Sequence, residues 1–67
     1  MKNSVREKRK ECGITLRELA RQVEVSPAFI SFVERGLRTP RLEVAFRIAN
    51  ALNCSIDEIF QEGGKEQ

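Results

Sequence analysis

Apolar residues recur along this chain with a helical period, most clearly from Leu16 onward. Leu16, Leu19, Ala20 and Val23 fall at i, i+3, i+4 and i+7, one stripe of an amphipathic helix. Residues 42–52 are apolar almost all round, through Leu42, Ala45, Phe46, Ile48, Ala49 and Leu52, and such a helix belongs in the middle of a domain. Ile56, Ile59 and Phe60 are expected to close the bottom of that core. The first dozen residues offer mainly Val5 and Cys12, so something other than apolar area must hold a first helix in place. Val, Ile and Thr are scattered rather than alternating, and no stretch carries a strand's period of two.

Polar punctuation sets the boundaries. A Ser or Thr followed three residues later by Glu can form a capping box, in which each side chain satisfies the other's free backbone donor. The pattern occurs at Ser4/Glu7, Thr15/Glu18 and Ser55/Glu58. Ser26-Pro27 and Thr39-Pro40 mark two further starts, because a proline in the first turn lacks an N–H that would be unsatisfied anyway. Gly13, Gly36 and Asn53 stand where left-handed stops are needed. Together these signals predict helices near 4–12, 15–23, 26–35, 41–52 and 55–61, an all-α compact five-helix domain. Residues 1–60 form that domain in this reading, and 61–67, with Gly63-Gly64, form a flexible polar tail.

Composition narrows the chemistry. A chain of 67 residues makes one small domain, which buries only about 60% of the surface its unfolded form exposes. There is no histidine, and Cys12 and Cys54 lack the partners of a zinc site, so neither a metal nor another cofactor is expected. Both cysteines are read as small buried hydrophobes. Asp57 and Glu58 are adjacent at a helix start instead of facing each other across a cleft, and Ser26 and Ser31 lack a base to activate them. No Gly-rich phosphate loop exists. These features point away from an enzyme. No apolar run approaches the roughly 20 residues of a membrane span, and Met1-Lys2-Asn3-Ser4 lacks a signal peptide's apolar stretch, so a cytoplasmic location is expected.

The net charge of +2 hides an asymmetry. Residues 1–42 carry ten Lys/Arg against five Asp/Glu, while residues 43–67 carry two against five. Arg35, Arg38 and Arg41 follow one another with no acid between them.

Residues 15–35 hold two helices joined only by Glu24-Val25 and the cap Ser26, which implies a steep crossing, as in a helix-turn-helix. The run T-L-R-E-L-A-R-Q-V-E-V-S-P-A-F-I-S-F-V-E-R-G, with I-A-x-A-L at 48–52 and S-I-D-E-I-F at 55–60, resembles the phage repressor/Cro-type helix-turn-helix family over about residues 4–60. That resemblance implies a lambda repressor-like five-helix fold that binds operator DNA, usually as a dimer. It implies that the helix starting at Ser26 enters the major groove and turns Pro27, Ala28, Ser31 and Phe32 toward the bases, with Leu16 near the groove edge. Thr15, Arg17, Ser26, Arg35, Arg38 and Arg41 are the candidate phosphate contacts, the arginines being otherwise an ordinary solvated loop. The resemblance also pairs Arg9 with Glu34, pinning the first helix to the third. The competing reading puts Arg9 on DNA with Lys8 and Lys10.

Two departures from the family pattern stand out. Glu24 occupies a turn position where many members have glycine, and a left-handed glutamate would cost about 1–2 kcal/mol. Leu16, Ala28 and Phe32 stand where members often carry hydrogen-bonding side chains. Phe32 has three readings: folded over the core edge, in contact with thymine methyls, or docked on a protein. The function that follows is a DNA-binding transcriptional regulator, a repressor on a near-palindromic operator as a homodimer. The alternative is a protein-interaction module, antitoxin-like or an anti-repressor partner, using the same fold.

Overall fold

The computed structural model describes residues 3–60. Over them run α1 (Val5–Cys12), α2 (Leu16–Val23), α3 (Pro27–Glu34), α4 (Leu42–Ala51) and α5 (Ile56–Ile59), with no strand among the described residues. The all-helical class follows the sequence pattern, each helix starting and ending within about two residues of its predicted bounds. The polar tail 61–67, including the predicted last residue of the fifth helix, lies outside the described residues.

The core is built from one face of each helix. Val5, Leu19, Val23, Ile30, Val33, Ile48 and Ile59 are fully buried, with Ala20, Ala49 and Leu52 beside them. Ile56 and Phe60 are half-buried against the same cluster. One expectation fails here. The fourth helix is not enclosed: Leu42 is 67% exposed and Phe46 53% exposed, while Ala45, Ile48 and Ala49 face inward. The main contacts of α4 are with α2 and α5, and among the described residues no helix encloses its opposite face.

Four of the helices end alike. A residue with positive φ follows α1 (Gly13, 73°), α2 (Glu24, 68°), α3 (Gly36, 78°) and α4 (Asn53, 58°). In each case the next residue's N–H reaches back across the last turn. Ile14 donates to the Arg9 carbonyl, Val25 to Ala20, Leu37 to Phe32 and Cys54 to Ala49, at 2.9–3.3 Å. This is the Schellman arrangement, which satisfies carbonyls that a helix end leaves open and reverses the chain within two residues.

The starts are less uniform. Capping boxes form at Thr15/Glu18 and Ser55/Glu58, and Ser26 Oγ accepts the Phe29 N–H at 3.1 Å. The Ser4/Glu7 box does not form. Asn3 replaces it, its Oδ1 accepting from the Val5 N–H at 3.1 Å while its Nδ2 donates to the Val33 carbonyl at 2.7 Å. Thr39-Pro40 is not a helix start either. Arg41 is extended (φ −68°, ψ 162°) and holds the cap position of α4, leaving Pro40 buried ahead of it.

Polar ties therefore fix α1, whose one buried apolar residue is Val5. Besides the Asn3 bonds, the Ser4 N–H donates to the Ile59 carbonyl at 2.8 Å. Cys12, read from sequence as buried, is exposed at the end of that helix; it shares the Val5 face, and its thiol donates to the Leu52 carbonyl at 3.5 Å. Cys54 is half-buried, and burial first, then the Glu58 carboxylate, holds its thiol above the ordinary cysteine pKa.

Candidate nucleic-acid interface

The joint between α2 and α3 is the local feature from which the site is built. Glu24 adopts φ 68°, ψ 43°, the left-handed region that favours glycine, so the cost foreseen for a glutamate there is present. Its carboxylate lies 3.7 Å from Arg47, an exposed contact that contributes little to offset it. Val25 is half-buried against the core, and Ser26 turns the chain into α3. The most extensive interhelix packing is that between α2 and α3.

Burial divides α3 into two faces. Ile30 and Val33 are fully buried and Phe29 half-buried, so this face is committed to the core. The other carries Pro27 and Ala28, both exposed, Ser31, half-buried, and Phe32, 37% exposed. Phe32 thus does not fold into the core. Leu16, at the first turn of α2, packs partly against the core and leaves only part of its side chain outside. Thr15, Arg17, Arg21 and Pro27 border a shallow concavity between the starts of α2 and α3. A second concavity runs from Ser26 to Thr39 and Arg41.

The third helix is anchored from behind. Arg9 Nε donates to Glu34 Oε2 at 2.7 Å, and Arg9 Nη1 donates to the Ile14 carbonyl at 3.1 Å. Both side chains are largely shielded, at 12% and 5% exposure. Arg9 is therefore spent inside the domain, and so unavailable to a surface ligand. Lys8 pairs with Glu11 at 3.8 Å, and Lys10 is exposed.

Charge is distributed unevenly over the rest. Arg17, Arg35, Arg38 and Arg41 are exposed and none has a carboxylate within ion-pair distance among the described residues. Arg47, on α4, is held by Glu43 at 3.1 Å and by Glu24. The hydroxyls of Thr15 and Ser26 accept from backbone amides, and an accepting hydroxyl still has its own proton to donate. Sequence reasoning missed Asn3, whose role depends on a contact thirty residues away. It also missed Arg21, although a spacing of four from Arg17 on one helix was readable.

No group of three or more metal-binding side chains occurs among the described residues, and no described helix is long and apolar enough to cross a membrane. A helix-turn-helix family model matches residues 5–59. An uncharacterized HTH-type transcriptional regulator of Methanothermobacter thermautotrophicus is 42% identical over 69 residues, covering 97% of this chain and 100% of the relative. One from Archaeoglobus fulgidus is 38% identical over 60 residues, covering 90% of this chain and 86% of that one. Among solved structures, the clp gene regulator ClgR from Corynebacterium glutamicum superposes with a TM-score of 0.81 at 33% identity, covering 94% of this chain and 67% of that one. SinR in the SinR/SinI protein complex gives 0.79 at 26% identity, covering 94% and 62%. With a half-open α3 behind a three-residue joint and a family model spanning nearly all the described helices, the chain belongs to the helix-turn-helix family of DNA-binding transcriptional regulators.

Proposed function

We propose that this chain acts as a repressor, occupying a near-palindromic operator as a homodimer with α3 in the major groove and performing no catalysis. The observation that carries the reading is the division of α3: its inner face is sealed by the core while Pro27, Ala28, Ser31 and Phe32 remain open to a ligand. A groove about 12 Å wide admits one helix, and its base edges carry a full donor and acceptor code. Thr15, Arg17, Ser26, Arg38 and Arg41 then serve phosphates on either side of that helix, since their donors are exposed. Leu16 lies at the groove edge. Two α3 helices read half-sites about 34 Å apart, which makes the operator near-palindromic. The setting is the cytoplasm, with double-stranded DNA as the ligand.

A protein partner is a secondary proposal. SinR is captured with a second protein, SinI, and an apolar Phe32 on an open face is compatible with a similar contact here. Titration of a generic duplex at low salt separates the two. A DNA reader binds weakly and loses affinity steeply as salt rises; a protein module does neither. Selection from a random duplex pool then yields the motif, its symmetry and its spacing. Absence of any duplex binding at low salt would overturn the DNA reading.

A further inference from the structure

The open stripe of α3 does not stop at the end of the helix. Counting from Ala28, the residues Ser31, Phe32 and Arg35 follow at i+3, i+4 and i+7, so all four share one face. Helical side chains lean toward the amino terminus, and Arg35, at the carboxyl end of α3, does so. Its guanidinium carbon stands over the Phe32 ring, 5.5 Å from the centroid. The arginine is therefore carried back along the stripe, away from the flanking loop that holds Arg38 and Arg41. Neither a carboxylate nor the core claims it: Arg35 is exposed and has no ion-pair partner among the described residues.

A guanidinium carbon held over a ring leaves the N–H donors of the fork free for another partner. Guanine presents O6 and N7 side by side in the major groove, a match for two of those donors. An Arg35 paired with that guanine carries the Phe32 ring, 5.5 Å from its guanidinium carbon, to the layer of a neighbouring pair, since successive pairs are about 3.4 Å apart. The apolar feature of that layer is the C5 methyl of a thymine, which a phenyl ring contacts favourably.

We propose that Phe32 and Arg35 form one composite reader of a guanine with a thymine at the adjacent step, Arg35 contacting the base and not the phosphate frame. The proposal rests on α3 being the groove helix. It departs from the position of Arg35 in the chain, which suits a phosphate contact, because the side chain is folded back over Phe32. The ring holds the guanidinium carbon over the open stripe, and the guanidinium in turn makes a neighbouring layer the one that Phe32 reads.

Selection with this 67-residue chain is expected to return a guanine beside a thymine in each half-site. Replacing that guanine by 7-deazaguanine removes N7 and is expected to weaken binding about ten-fold. Replacing the thymine by uracil removes one methyl and is expected to weaken binding about three- to four-fold. These two probes need no variant protein. Arg35→Lys keeps the charge without the planar fork and is expected to bind guanine and 7-deazaguanine duplexes alike, while Phe32→Ala is expected to bind thymine and uracil duplexes alike. A motif in which neither modified base matters overturns the proposal while leaving α3 in the groove. So does an Arg35→Ala protein that selects the unchanged motif, weakens all duplexes equally and has a shallower salt slope. No duplex binding at all overturns this proposal together with the groove reading.

Discussion

At the scale of single residues, two positions hold the helix-turn-helix together at a measurable cost. Arg9 and Glu34 are charged groups taken largely out of water, so removing one leaves the other unpaired. Arg9→Ala is expected to lower stability by about 3–5 kcal/mol, comparable with the whole stability of so small a domain. The double replacement Arg9→Met/Glu34→Leu is expected to recover most of that loss, because no charge is then stranded. Urea unfolding of the three proteins measures it, and a double variant no better than Arg9→Ala would show that the hydrogen bonds, not the stranded charge, set the cost. Glu24 carries the opposite sign. With φ at 68° it is strained, and Glu24→Gly is expected to raise stability by up to about 1 kcal/mol, the relief exceeding glycine's greater freedom in the unfolded chain. A lower melting temperature for Glu24→Gly would mean that the Arg47 contact matters more than the backbone. The strain at Glu24 was readable as a departure from the family, and the pairing of Arg9 with Glu34 was implied by the same resemblance. Asn3 was not readable at all, since nothing local tells which of Asn3 and Ser4 caps α1 when one of them also reaches Val33.

At the scale of elements, boundaries were legible because they are local chemistry. Hydroxyl caps and left-handed stops act within one turn, and Thr15, Ser26, Ser55, Gly13, Gly36 and Asn53 all take the geometry their residue types favour. Which way an element faces is not local. The fourth helix has apolar residues on every side, so its sequence could not choose a buried face, and the packing of α2 and α5 chose Ala45, Ile48 and Ala49. Substitution should expose that asymmetry. Ile48→Ala is expected to cost about 2–5 kcal/mol through the cavity it leaves, whereas Phe46→Ser is expected to stay within about 0.5 kcal/mol, as an exposed position does. Denaturant midpoints of the two variants decide it, and equal losses would mean that the Phe46 side of α4 is covered in solution.

At the scale of the whole molecule, the useful fact is where cations lack carboxylates. The formal charge alone says little about DNA, but Arg47 is neutralised by Glu43 on α4 and by Glu24 in the joint after α2, while Arg38 and Arg41 stand exposed in the loop after α3. Base readers and phosphate clamps differ in what they do to unrelated sequences. Arg38→Ala, if Arg38 serves a phosphate, is expected to weaken specific and random duplexes by the same factor. It should also flatten the plot of log affinity against log salt, by about 0.9 for each phosphate no longer neutralised. This number also counts subunits. A monomer on its site releases one phosphate and changes slope by about 0.9, whereas a homodimer on a two-fold operator releases two and changes by about 1.8. One variant, measured on the selected operator and on an isolated half-site, therefore tests both the phosphate role and the dimer. An unchanged slope on both duplexes removes Arg38 from the interface, and a change near 0.9 on both would place a single subunit on each.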